Sequence, residues 1–211
     1  MGENTSSTPL LTMHLLSSLR LRFQPAAFAV FIFTPFLPVP AHASPSPALV
    51  DDFSAEQRHG ANRLLIDDKT LGSLSQATQR CENGVLIVEG ELVPGRGVPA
   101  FISIPLLLSA DAQPHDVGLY EGVRLRVKIT QGSLAVQVAT TPIENFDYHT
   151  SVPIAGKRGE FKEVRVAFKD MKRGWSEQVP LDPATVTSVN LVAFGLARGA
   201  FAYAIDEIGF Y

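Results

Sequence analysis

Four of the acids, three of the five histidines (His14 and His42 lie in the N-terminal segment) and the one tryptophan are the side chains whose types and places could support chemistry, and their spacing limits what that chemistry can be. His59, His115 and His149 are far apart, and none belongs to an H-x-x-x-H or H-E-x-x-H pattern that would set two imidazoles on one helix face. No transition-metal site is expected. His149 lies in FDYHTSV, where Phe146, Tyr148, Thr150 and Val152 share a strand parity that His149 does not, so it reads as a solvated histidine. The segment Gly118-Leu119-Tyr120-Glu121-Gly122 has tyrosine where a nucleophile elbow needs serine. AGKRGE (Ala155–Glu160) lacks the spacing of a phosphate loop. GRG (Gly95–Gly97) lacks the third glycine and the helix of a dinucleotide fingerprint. No nicotinamide cofactor and no catalysis are expected.

The carboxylates carry more weight. Asp51-Asp52 opens the ordered part of the chain and Asp206-Glu207 lies near its end. Calcium takes six to eight oxygens, carboxylates among them, so these four acids would hold a structural calcium if the terminal strands paired. An acid pair across a cleft would instead suit glycoside hydrolysis, a weaker reading. For binding, Trp175 is the only tryptophan and sits in the basic turn KDMKRGW with Lys169 and Arg173. Tyr148 and the basic hairpin Lys157-Arg158 complete the expected contact surface. Amphipathic aromatics and arginine suit either a protein partner or a stacked sugar.

These residues need a scaffold, and composition bounds it. The chain has 211 residues, 45% of them hydrophobic, enough for one domain with a sizeable core. Arg20 and Arg22 precede the apolar run Ala26–Ala43, which ends in Ala41-His42-Ala43: the layout of a secretory signal. Pro35, Pro38 and Pro40 interrupt that run, which is shorter than a membrane span needs. The expected order is a signal peptide over 1–43, a Pro/Ser linker over 44–49 and one domain over 50–211, exported to the periplasm or beyond and not membrane-spanning after cleavage. An organelle-targeting segment and a start at Met13 are the alternatives. Residues 44–211 hold 16 basic and 20 acidic residues, so no basic field awaits a nucleic acid. Cys81 is the only cysteine, which excludes an internal disulfide.

Within the domain, apolar residues recur at every second position. In GVRLRVKI, Val123, Leu125, Val127 and Ile129 alternate with Arg124, Arg126 and Lys128, which predicts one buried face and one wet face. Seven further runs read as strands: Val85–Val93, Ala100–Leu106, Ser133–Thr140, Asn145–Val152, Lys162–Phe168, Ser188–Phe194 and Ala200–Ile208. Ser54–Leu65 reads as a short helix and Pro183–Thr187 as a single turn. Many short strands without βα alternation predict an all-β fold, an antiparallel β-sandwich or jelly roll.

The order of these words resembles that of the complex I intermediate-associated protein 30 family. Asp51-Asp52-Phe53 stands for its acidic-aromatic opening and TLGSLS for its Gly-Ser turn. DVGLYEGVRLRVK (Asp116–Lys128), FKEVRVAF (Phe161–Phe168), PLDP (Pro180–Pro183) and GAFAYAIDEI (Gly199–Ile208) follow in the family's order. Phe161 replaces a frequent tryptophan, Ala167 a usual proline, and TLGSLS departs from a Met-Gly-Gly-x-Ser segment. The resemblance implies a galactose-binding-like jelly roll and, for mitochondrial members, a role in respiratory complex assembly. The expected function is a non-enzymatic interaction or assembly module, with carbohydrate binding as the alternative.

Overall fold

The computed structural model describes residues 48–156 and 159–211. The expected signal segment over 1–43, most of the linker, and Lys157-Arg158 lie outside the described residues. Fourteen strands are described: β1 Leu49–Asp51, β2 Gln57–Arg58, β3 Ala61–Asn62, β4 Ile66–Asp67, β5 Gln76–Glu82, β6 Val85–Leu92 and β7 Ala100–Leu107, then β8 Gly122–Gln131, β9 Ser133–Thr140, β10 His149–Thr150, β11 Ile154–Ala155, β12 Lys162–Ala167, β13 Val186–Gly195 and β14 Gly199–Phe210. Twelve of them form two antiparallel sheets, one ordered β12-β8-β14-β6-β5 with β1 beside β14, the other β10-β9-β13-β7-β4 with β11 beside β9, while β2 and β3 pair only with each other. This is the antiparallel sandwich that the alternation predicts.

The core lies between the sheets and follows parity. Val123, Leu125, Val127 and Ile129 are at most 3% exposed, and they join Phe201, Tyr203 and Ile205 of β14 and Leu134, Val136, Val189 and Leu191 of the other sheet. On the outer face of the first sheet the charges neutralise one another: Arg124 pairs with Glu207, Arg126 with Asp206, Arg80 with Glu82 and Glu89, and Arg165 with Glu163. Such surface pairs give solubility and register more than stability. Among the described residues, no helix is long and apolar enough to cross a membrane.

Three local readings need correction. Ser54–Leu65 is not helical: His59 and Gly60 both have positive φ, 52° and 73°, and turn the β2–β3 hairpin. The strand read over Asn145–Val152 shrinks to β10, because Phe146 at φ 60° breaks the extended run. β5, sequence QATQRCE, escaped the alternation search because the residues of its inner parity, Ala77, Gln79 and Cys81, form no apolar stripe, Gln79 being polar and Cys81 exposed; only pairing with β6, Cys81 opposite Leu86, reveals that parity. The turn near Pro183 is present as a 3-10 turn over Pro183–Thr185, with Asp182 capping Ala184 N–H.

Candidate functional site

β9 ends at Thr140, and the loop that follows carries the sequence Asn145-Phe146-Asp147-Tyr148, in which polar and aromatic side chains alternate. The polar pair is spent on a second loop. The Asp147 carboxylate, 2% exposed, accepts the backbone N–H groups of Gly174 at 2.7 Å, Trp175 at 3.0 Å and Ser176 at 2.6 Å. A Cβ at Gly174 would lie 3.1 Å from Asp147 Oδ1, so glycine lets the loop close on the acid. Burial raises the Asp147 pKa, but the hydrogen bonds from Trp175, Ser176 and Gly174 outweigh it and hold the group below the usual carboxylate range.

Arg173 completes the clasp. Its Nε donates to Asp147 O at 3.1 Å, Nη2 to Asn145 Oδ1 at 3.1 Å and Nη1 to Glu177 O at 3.1 Å. Gln178 spans the loop, accepting Arg173 N–H at 3.1 Å and donating to Arg173 O at 2.8 Å. With its donors used inside the loop, Arg173 shapes the site rather than projecting from it. His149 is not solvated as its parity suggested. It pairs with Val138 of β9 and therefore faces the core side, 2% exposed, with Nε2 donating to Val179 O at 2.8 Å.

The clasp leaves its apolar side chains outside. Phe146 is 74% and Trp175 75% exposed, with Val152 and Val179 also exposed nearby in sequence. Tyr148 is half-buried and meets Phe146 edge to face at 6.2 Å; burial pushes its phenol pKa up. Lys169 is exposed on the 3-10 turn Phe168–Asp170 and takes no part in the clasp's hydrogen bonds. Of the residues singled out from sequence, the structure brings together Tyr148, Arg173 and Trp175. Phe146, Asn145 and Asp147 were missed, since an acid inside a loop carries no signal until its N–H partners are known.

The four acids expected to share a metal are separated. The terminal strands do pair, Asp51 opposite Ile208, but that register points Asp51 inward with the core residue Ile208, whereas Asp206 and Glu207 lie on the outer face. Asp51, 1% exposed, instead receives Arg63 Nε at 2.7 Å and Nη2 at 2.8 Å, so a guanidinium occupies the place expected for a cation. Asp52 caps the turn at Ser54, and the two C-terminal acids pair with Arg126 and Arg124. Among the described residues no group of three metal-binding side chains forms.

A cleft of about 750 Å³ lies between the Phe53–Asn62 segment and the end of β5, and Cys81 lines it. Its one acid is Glu56, so it offers no carboxylate pair. Its arginines are engaged, Arg63 by Asp51 and Arg80 by Glu82 and Glu89. Cys81 is a free, exposed thiol, and partial desolvation by its neighbours raises its pKa, which lowers its reactivity.

The family model described as Complex I intermediate-associated protein 30 matches residues 52–205. No curated protein matches the chain. Among solved structures, it resembles the family 11 carbohydrate-binding module of a cellulosomal cellulase of Clostridium thermocellum, with TM-score 0.55 and 12% identity over 79% of this chain and 95% of that one. The Clostridium thermocellum family 11 module in complex with a β-1,3-1,4-mixed-linked tetrasaccharide has TM-score 0.52 and 13% identity, over 78% and 94%. At these identities the likeness is one of fold.

Proposed function

This chain belongs to the complex I intermediate-associated protein 30 family, and on that premise we propose that it is an exported, non-enzymatic interaction module that docks a protein partner through Phe146, Trp175 and Tyr148. In this reading residues 1–43 are a cleaved signal, 44–49 a linker and 50–211 the working domain. The observation that carries the proposal is the clasp itself. A loop held by a buried carboxylate and an engaged arginine presents two aromatic rings that are three-quarters exposed. Rigid, exposed aromatics lose little conformational entropy on docking, and such residues dominate interface energies. Rings this exposed project outward, whereas a sugar site sets its aromatics in a groove. Lys169, exposed on the 3-10 turn that follows β12, would supply a basic edge.

Carbohydrate binding is the second reading. It is favoured by the shared fold with a module that has been solved with a tetrasaccharide, and in that reading Trp175 is the ring that stacks on the sugar. One experiment separates the two. Partners are captured from the host with wild-type protein and with Phe146→Ala/Trp175→Ala, and both proteins are applied to a glycan array. An identified protein lost in the double variant, with a blank array, supports the first reading. A glycan signal lost in the variant transfers support to the second. Binding of either kind that survives the double variant removes the clasp as the working surface.

A further inference from the structure

The first sheet ends on β5, and that edge is unguarded. Natural sheets keep their outer strands short or charged, because an edge presents a row of unpaired N–H and C=O groups. The edges of the second sheet follow this rule: β4, β10 and β11 are two residues each. β12, the opposite edge of the first sheet, carries Lys162, Glu163 and Arg165 within six residues. β5 instead runs for seven residues, Gln76–Glu82, in unbroken register with β6. Its first half, Gln76–Gln79, is uncharged, and Arg80 and Glu82 are paired with one another. Among the described residues, the backbone of β5 hydrogen-bonds to β6 and to no other segment.

The second half of β5 also lines the cleft of about 750 Å³, through Gln79, Arg80 and Cys81. The facing wall is built in advance. Gln79 Nε2 donates to Arg63 O at 2.7 Å, and Arg63 Nη1 donates to Ala55 O at 2.8 Å and Glu56 O at 3.1 Å. The cleft is acidic once every charge around it is counted. Asp51 offsets Arg63, Asp52 offsets Arg58, and Glu82 offsets Arg80, which leaves Glu89 and the exposed Glu56 in excess. We propose that β5 is a docking edge: an extended, lysine- or arginine-bearing segment of a protein partner adds to it as a further antiparallel strand and sets a basic side chain in the cleft beside Glu56. In such strand addition main-chain hydrogen bonds supply affinity, and pockets for alternate side chains supply specificity. A second copy of the chain fits less well, since it would bring the same excess of acid against itself.

The probes are synthetic peptides of seven residues, the length of β5, with valine at alternate positions and lysine, serine or glutamate between. Binding to the full-length protein is read by fluorescence anisotropy. The lysine peptide should bind tightest and weaken as salt rises, the serine peptide should bind less well, and the glutamate peptide should not bind. N-methylation of the lysine peptide at alternate residues, in either phase, should abolish binding in one phase and spare it in the other, since only every second residue of a strand bonds to a given neighbour. Glu56→Lys, an exposed change, should leave the melting temperature alone and weaken the lysine peptide about threefold or more. Bound peptide should slow alkylation of Cys81, and Phe146→Ala/Trp175→Ala should bind the peptide as the wild type does. No binding of the lysine peptide by the wild type, equal binding of the glutamate peptide, or equal binding of both N-methylated forms overturns the proposal. Dimerisation that Thr78→Lys abolishes, without peptide binding, gives the edge to a second copy and overturns it too. The clasp residues take no part in this edge, so failure here leaves the proposed function standing, and the reverse.

Discussion

The two ends of the sandwich, separated by the ten residues of β13 or roughly 30 Å at about 3.3 Å per residue, solve one problem in the same way and then diverge. At each end a buried aspartate accepts hydrogen bonds from residues away from its own turn: Asp147 takes Gly174, Trp175 and Ser176 of another loop, and Asp68 takes Ser75, at the far end of its own loop, and Phe101 of β7. Each acid thereby satisfies N–H groups that the sheets cannot reach. The difference is what the fixed loops display: aromatic rings at the Asp147 end, Leu71, Leu74 and Leu196 at the Asp68 end. Loop rigidity is thus a property of the fold, and the choice of exposed apolar residue is where the ends specialise.

The largest expected effect joins both ends. Leu125 is fully buried on β8 between the sheets, so Leu125→Asp should cost about 3–5 kcal/mol in a denaturant titration and loosen both ends together. An unchanged midpoint would mean that the register of β8 is wrong. Next come the two acids. Asp147→Ala leaves three backbone donors without an acceptor and should cost about 2–3 kcal/mol; Asp68→Ala should cost a similar amount. Hydrogen exchange is the sharper readout: each variant should speed exchange at its own end and spare the other, and exchange that spreads equally would dissolve the distinction between them.

Acid should separate the ends too. The folded pKa of Asp147 is depressed, so its contribution is fully present above the unfolded value of about 3.9 and is lost as pH falls through the lower, folded value. Protection of the Gly174–Ser176 amides, measured against their intrinsic exchange at each pH, should therefore fall only below about pH 4. Protection lost already between pH 5 and 7 would show that the clasp depends on some other group. Trp175→Ala, by contrast, removes an exposed ring and should change stability by no more than about 0.5 kcal/mol while weakening partner binding by about 2 kcal/mol or more. Smallest of all is the effect of calcium. With Asp51 held by Arg63 and Asp206 and Glu207 held by Arg126 and Arg124, melts in calcium and in chelator should superimpose; a shift of several degrees would mean that a cation displaces one of these arginines.

Sequence reading reached the sandwich and most of its long strands because alternation is written residue by residue, as in Val123–Ile129, and survives without tertiary information. It reached Trp175 and Tyr148 because their types are suited to contact. It passed over Asp147 and Asp68, since one aspartate in a loop looks like another until the donors around it are known. It overvalued Asp51, Asp52, Asp206 and Glu207, because nearness in the fold is not nearness of side chains: paired strands set Asp51 inside the sheet and the C-terminal acids outside it.

What the amino-acid order alone determined is the class of fold, the buried parity of its strands and the lack of any spaced metal or nucleophile motif, since each depends on local period or spacing. Only the tertiary structure decided which polar groups are used up and which apolar ones stay in water. Asp147 and Arg173 are consumed in holding a loop, and Phe146, Trp175, Leu74 and Leu196 are left exposed, because hydrogen-bond partners from distant segments meet only when the two sheets have closed.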